Sequence, residues 1–441
     1  MFSNKSLRNL ILPLIVEQFL AVTIGIANTA MVSSCGEAAV SGVSLVDSIN
    51  ILLINLFSSI ATGGAVVASQ YLGKGERWNA NKIANQLEYF SLAAALLISA
   101  LAILFRDFAL QAIFQDIADD VMQNARTYFF VSALSYPFLA VYNAGAALFR
   151  SMGNSKISMF ISILMNIVNI TVSAVGIYSF NLGVLGAAIA SLCARVLGGV
   201  LITLLLLNPT REIHLDQIWK IKIYPQYIKK IMKIGVPSGL ENSVFQLGKI
   251  LTMSIVSSFG TAAITANAVA GNLSSIQIIP GNAIGMSMLT IVGQSVGASD
   301  LEGAKKYTKK LMKLAYLSVW VMTVLIFAGK DLILGVYHLS AETTQILIQL
   351  FIVHAVCCVL FWPLSFTLPN ALRAAGDAKF TMIASLFSMW IFRIGFSYLL
   401  AFTFQTGVLG IWIAMCIDWL FRAICFMIRF RNGKWKNHRL V

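Results

Sequence analysis

The chain has 441 residues, 58% of them hydrophobic and only 11% charged. A soluble domain carries about 25% charged residues, so there is too little polar surface here for a water-soluble globule, and lipid must be the solvent for much of the chain. The formal net charge of +14 does not indicate a nucleic-acid partner, because the basic residues lie between apolar spans rather than along one face, as cytoplasmic loops do.

Lys5 and Arg8 precede the first apolar stretch, which Pro13 and Glu17 interrupt and which ends in no small-residue cleavage site; it reads as a retained first helix. A helix needs about 20 mostly apolar residues to cross the hydrocarbon core. Twelve segments meet that need: 8–32, 44–71, 86–106, 123–148, 156–178, 184–207, 228–256, 266–296, 311–329, 343–371, 378–401 and 408–430, although hydropathy by itself also allows ten or eleven and the loop charges argue for twelve. With the N-terminus inside, the inner loops hold Lys74, Arg77 and Lys82, then Arg150 and Lys156, Arg211 to Lys233, Lys305 to Lys313, and Arg373 with Lys379. The tail adds Arg429, Arg431, Lys434, Lys436 and Arg439. The outer loops hold Arg106, Arg126 and Lys330 among the acids Asp107, Asp116, Asp119, Asp120, Asp331 and Glu342. Alternate loops thus obey the positive-inside rule, with both termini cytoplasmic.

The chain also repeats itself. At an offset of 224, Pro13 and Glu17 recur as Pro237 and Glu241, Gly36 as Gly260, Gln70 and Gly73 as Gln294 and Gly297, and Gly183-Val184-Leu185-Gly186 as Gly407-Val408-Leu409-Gly410. At 223, Arg150, Gly153 and Lys156 recur as Arg373, Gly376 and Lys379. Ordered matches at nearly one offset indicate an internal duplication. Each half has an even number of helices, so both enter the membrane in the same direction. The expected fold is therefore an all-α integral membrane protein: twelve transmembrane helices in two parallel six-helix lobes with pseudo-two-fold symmetry along the membrane normal. The expected divisions are an N-lobe over 1–207, a basic cytoplasmic linker over 208–227, and a C-lobe with its tail over 228–441. Two such lobes suit alternating access better than they suit a channel.

Charge inside apolar spans is the strongest functional signal, costing about 2.5–3.5 kcal/mol per group at a helix centre on insertion scales. Glu241 stands first, four residues after Pro237 and beside Asn242 and Gln246. Proline leaves backbone oxygen unpaired near that carboxylate, which suits a cation or proton; the alternative is an ion pair with a nearby lysine such as Lys233. Glu17 repeats the geometry after Pro13. Asp47 lies near Asn50 and Asn55 at a helix start, where the dipole also favours an acid. Asp418 and Arg422 form an i, i+4 pair that Arg393 can reach, and Arg195 and Lys249 read as counter-charges. Asn28, Asn166, Asn169, Ser173, Asn272, Gln277 and Asn282 either line a cavity or join helices by hydrogen bonds. Pro280, Gly281 and Gly285 should bend helix eight, and Gly63-Gly64 should loosen helix two at the matching place. Enzyme chemistry is not expected: there is no phosphate-binding loop, HExxH or CxxC, His214, His338, His354 and His438 are scattered, and the six cysteines suggest packing.

Asn28-Thr29-Ala30-Met31-Val32, Gln70-Tyr71-Leu72-Gly73, Gln294-Ser295-Val296-Gly297 and Ala371-Leu372-Arg373-Ala374-Ala375-Gly376-Asp377, with the duplicated twelve helices, resemble the multidrug and toxic compound extrusion (MATE) transporters over essentially the whole chain. The resemblance implies a V-shaped pair of lobes exporting lipophilic organic cations by sodium or proton antiport, with no cofactor and no nucleic acid. The compact loops suit the plasma (inner) membrane, and a functional monomer is expected. Asn28 stands where many prokaryotic members carry aspartate, and Ser173 near where a second is common; Trp362 and Pro363 occupy the place of an acid that some members carry in helix ten. The implied cation site therefore moves to Glu241 in the C-lobe, assisted by Asp418, with sodium favoured over proton. The implied substrate cavity takes Glu17, Asn28, Asp47, Asn166, Asn169, Gln277 and Asn282. The alternative is a flippase for a lipid-linked saccharide or other lipid-like substrate, which Arg195, Lys249 and Arg393 keep open.

Overall fold

The structure, a computed structural model, describes residues 2–114, 117–337, 339–438 and 440–441. Asp116, His338 and Arg439, named above, lie outside the described residues. Every long element is a helix, and the chain divides into two compact units, Met1–Gly239 and Leu240–Val441.

The first unit holds α1 (Asn4–Ser33), α2 (Glu37–Lys74), α3 (Arg77–Leu104), the short α4 (Arg106–Ile113), α5 (Asp119–Ser151), α6 (Ser155–Ser179) and α7 (Val184–Leu206). Next comes α8 (Pro225–Ser257), which runs from this unit into the second. The second unit continues with α9 (Thr261–Gln277), α10 (Ile279–Gly297), α11 (Leu301–Ala328), the short α12 (Lys330–Tyr337), α13 (Ala341–Ala374), α14 (Ala378–Thr403) and α15 (Gly407–Arg431). Ten of these helices are long and apolar enough to cross a membrane, and eleven spans result if the bent pair α9–α10 is counted as one. The twelfth expected span, α8, has the length at 33 residues but carries Lys229, Lys230, Lys233, Glu241 and Lys249. The chain is a multi-pass membrane protein. Its outward-facing side chains agree with lipid as solvent: Leu96, Leu97, Leu101 and Leu104 are all exposed along α3.

The repeated residues do repeated work within each unit. Gly36 (φ +101°) and Gly260 (φ +88°) end the loops before α2 and α9 in a conformation that disfavours a side chain. Gly153 and Gly376 do the same after the repeated arginines. Val184 is buried in the apolar cluster of the first unit and Val408 in that of the second.

The expected bend in helix eight is present as a 46° break between α9 and α10. It falls just before Pro280, which at the start of α10 has no N–H to continue the ladder of α9. Gly63-Gly64 does not loosen its helix: α2 is continuous from Glu37 to Lys74. Both glycines serve close packing instead. A Cβ on Gly63 would strike the Ile231 carbonyl oxygen and lie 3.0 Å from the Gly235 nitrogen on α8; one on Gly64 would lie 2.6 Å from Leu87 Cδ1 on α3.

Gly63→Val should therefore overpack the α2–α8 contact and cost about 1–3 kcal/mol. Gly25→Ala, with none of the described residues within 4 Å of the added methyl beyond its own helix backbone, should be neutral or stabilise by up to about 1 kcal/mol. Melting midpoints of the two purified proteins in one detergent check this, and equal midpoints would refute the packing role.

Candidate functional site

On α8, Glu241, Phe245 and Lys249 succeed one another at four-residue intervals and so lie along one face. Glu241 sits one turn beyond Pro237 and is 8% exposed. Burial of a carboxylate in an apolar span requires partners that neutralise it, and three side chains supply them. Arg373, near the end of α13, donates from Nη2 to Oε2 at 2.7 Å. Ser385 on α14 donates to Oε1 at 2.7 Å. Arg422 on α15 holds Nη2 4.0 Å from the same Oε1. Arg373 is itself steadied by Asn370, whose Oδ1 accepts from Nη1 at 2.9 Å.

Asp418, one turn before Arg422, is wholly buried. Its carboxylate accepts from the Ser388 hydroxyl of α14. Arg422 Nε stands 3.5 Å away and Arg393 Nη1 3.7 Å away. Arg393 belongs to a π-helical stretch of α14, Met389–Gly395; such wide turns displace a side chain from its α-helical direction. The Phe245 ring sits amid these cations, with the Lys249, Arg393 and Arg422 charges 5.1, 5.4 and 5.9 Å from its centroid. Two carboxylates thus face four cations, Lys249, Arg373, Arg393 and Arg422.

Beside this cluster the second unit encloses a cavity of about 550 Å³. Phe245, Phe366, Trp362, Trp412 and Trp419 line it, together with Asn267, Asn272, Asn282, Lys249, Arg393 and His354. Trp412 is held in place by donating to Asn267 Oδ1 at 2.9 Å.

The sequence candidates fall into three groups. Glu241 and Asp418 join one network, and Arg422 contacts both. The partner of Glu241 is Arg373 rather than a lysine, so its oxygens are already occupied, and a cation arriving there would compete with a guanidinium. Among the described residues no set of three His, Cys, Asp or Glu side chains could hold a metal ion. Asn282 lines the cavity, whereas Gln277 is fully buried and donates to Thr323 Oγ1 on α11 at 2.6 Å, tying α9 to α11.

The remaining candidates lie in the first unit. Glu17 accepts from Ser158 at 2.9 Å and faces Arg150 at 3.7 Å, so both repeats pair the glutamate after their proline with their repeated arginine. Asp47 is half-buried and accepts from Asn50 at 3.1 Å, with Tyr128 and Arg195 beside it. Asn169 donates to Ser191 at 3.2 Å, and Asn28 and Asn166 are half-buried.

Two features escaped sequence reasoning. Arg373 looked like an ordinary loop cation, although its recurrence with Glu241 at nearly one offset was a usable signal. Glu88 on α3 is 6% exposed, and among the described residues neither carboxylate oxygen reaches a hydrogen-bond donor; its place inside an apolar span was the available clue.

The sequence profile described as MatE matches the chain twice, over 13–175 and 237–399. The stretches are displaced by the same 224 residues as the repeat (237 − 13 and 399 − 175). The chain is 28% identical to the uncharacterized transporter YisQ of Bacillus subtilis, covering 98% of this chain and 94% of that protein. It is 25% identical to the probable multidrug resistance protein NorM of Thermotoga maritima, covering 99% and 94%. Its fold is similar to that of a multidrug resistance MATE family transporter of the MOP superfamily solved facing outward, with TM-score 0.91 at 17% identity over 98% and 96% of the two chains. It is likewise similar to a MOP superfamily transporter from Pyrococcus furiosus, with TM-score 0.90 at 18% identity over 98% and 96%.

Removing Arg373 should leave the buried Glu241 carboxylate under-compensated, with Ser385 and the more distant Arg422 as its remaining partners. Arg373→Met is expected to destabilise the protein by about 3–5 kcal/mol, and adding Glu241→Gln to it should recover most of that loss. Detergent melts of the single and double variants read the coupling; additive losses would mean the pair is not a stabilising unit.

Proposed function

This chain belongs to the MatE family of membrane transporters, and on that premise we propose that it is a secondary active exporter of lipophilic, drug-like molecules, driven by inward sodium or proton movement through alternating access. The reading includes the six-helix lobes 1–207 and 228–441 with their linker, and cytoplasmic termini. The observation that carries it is the Glu241–Arg373 pair with its neighbour Asp418. A proton or sodium ion that neutralises Glu241 removes the charge that holds Arg373, and so loosens a tie between α8 and α13. Ion arrival and helix rearrangement are then one event, as coupling requires. Arg422, shared between Glu241 and Asp418, extends the response to α15.

For a neutral solute the membrane voltage suffices, whereas a monovalent cation exchanged one for one gains nothing from it and must be driven by the ion's concentration gradient. One charge moving down 100 mV supplies about 2.3 kcal/mol, while concentrating a neutral solute tenfold costs about 1.4 kcal/mol. Organic cations remain the expected cargo for the first unit, where half-buried Asp47 offers a carboxylate and Glu17, Asn28, Asn166 and Asn169 offer polar contacts. A second reading, movement of a lipid-like substrate with an anionic head, is favoured by Lys249 and Arg393 on the cavity wall of the second unit.

Ethidium efflux from proteoliposomes under a sodium gradient, a proton gradient or neither tests the proposal. Efflux should follow one gradient, and Glu241→Gln should abolish the gradient-driven part while leaving ethidium binding intact. If Glu241→Gln pumps at the parental rate, the coupling assignment fails; if no gradient drives flux, the antiporter reading fails.

A further inference from the structure

The cavity of the second unit presents a one-sided set of charges. Lys249 and Arg393 line it, and none of the described residues on its wall is a carboxylate. Asp418 stands 3.7 Å from Arg393, but among the described residues no acid lies within ion-pair distance of Lys249.

Unspent donors add to the case. Among the described residues Arg393, 8% exposed, has no hydrogen-bond acceptor for Nε, its Nη1 being turned to Asp418, and Trp419, 4% exposed, has none for its indole N–H. Buried donors are nearly always paired, and a guanidinium gains most from an anionic acceptor. Both side chains border the cavity, so an anion seated there would meet a charge already in place. The rest of the wall is aromatic: Phe245, Trp362, Phe366 and Trp412 offer flat apolar faces. A space of about 550 Å³ suits a drug-sized ligand. An organic cation would find two like charges and no counter-ion on this wall.

We infer that the cavity of the second unit binds amphipathic aromatic anions, molecules joining a planar ring system to a carboxylate or comparable acidic group, with Lys249 and Arg393 as the anion-binding pair. The inference goes beyond the exporter reading, on which it rests only for the direction in which such a ligand moves. It also divides the labour of the protein: a polar site with Asp47 and Arg195 of mixed charge in one unit and a basic aromatic cavity in the other. Ligand chemistry would then differ between the units although their helices repeat, because Lys249 has no counterpart in the first repeat, where Gly25 stands at the 224-residue offset.

The test uses two dyes on one xanthene scaffold, fluorescein as the anion and tetramethylrhodamine methyl ester as the cation. Binding to the full chain in nanodiscs is read by fluorescence anisotropy against empty nanodiscs. Fluorescein should bind the parent at least about 10-fold more tightly than the rhodamine ester, and Lys249→Gln should lose about 10-fold for fluorescein alone, a factor of ten being about 1.4 kcal/mol. Lys249→Arg should restore it. Asn272→Asp places a carboxylate on the same wall without changing side-chain size; it should weaken fluorescein and strengthen the rhodamine ester, and it serves if Lys249→Gln does not fold. Equal or tighter binding of the cationic dye by the parent, or fluorescein binding indifferent to both variants, overturns the inference. Because binding is read with no gradient, that result leaves the exporter reading untouched. Conversely, anion binding without gradient-driven flux retains the inference and removes the exporter reading.

Discussion

An ionised carboxylate inside an apolar span has to be neutralised, and the tie between Glu241 and Arg373 is how this protein meets that constraint. The pair joins the middle of α8 to the end of α13, while Ser385 brings in α14 and Arg422 brings in α15. Four helices are thus held through one side chain. An uncompensated charge there would cost about 3–5 kcal/mol, a large share of the 5–15 kcal/mol that stabilises an ordinary domain. The first unit uses the same device, with Glu17, Arg150 and Ser158 joining α1, α5 and α6. Repetition of the proline, the glutamate and the arginine in the sequence is repetition of that constraint.

The second unit departs from simple neutralisation by carrying more cations than acids. Two carboxylates cannot satisfy Arg373, Arg393, Arg422 and Lys249, so positive charge is left over. Phe245 and Phe366 absorb part of it, since an aromatic face attracts a cation within about 6 Å, and Arg422 stands 5.0 Å from the Phe366 centroid. The remainder faces the cavity. Helix geometry contributes: π-helical stretches occur at Pro363–Thr367, upstream of Arg373 on the same helix, and at Met389–Gly395, which contains Arg393. Wide turns of this kind are common where a helix must change shape in use. The network and the cavity therefore share a wall, through Phe245 and Arg393, and whatever neutralises one alters the field in the other.

The same residues show where a linear reading succeeds. Apolar length, loop charge and the duplicated motifs suffice to recognise a multi-pass membrane protein of the MatE family. The break before Pro280 was legible because proline lacks a donor in every context. Gly63-Gly64 misled, because glycine serves both flexibility and close approach, and only the position of Ile231 and Gly235 against α2 distinguishes the two. Asp418 with Arg422 was legible at helical spacing; Glu241 with Arg373, 132 residues apart, was visible only as two separate repeats.

Hydrophobic length and charge placement are properties of the chain, since the bilayer acts on each span almost independently; they determined the class of fold and the short list of buried ionisable groups. Which of those groups meet depends on how the spans pack side by side, and no local rule encodes that. Packing alone decided that Glu241 is matched by an arginine rather than left open, that Gln277 joins helices while Asn282 faces a cavity, and that Lys249 stands beside Arg393 with no acid paired to it among the described residues. The physical reason is range: propensity and hydropathy act over a few neighbouring residues, whereas an ion pair or a cavity wall is assembled by tertiary contacts between helices distant in the chain.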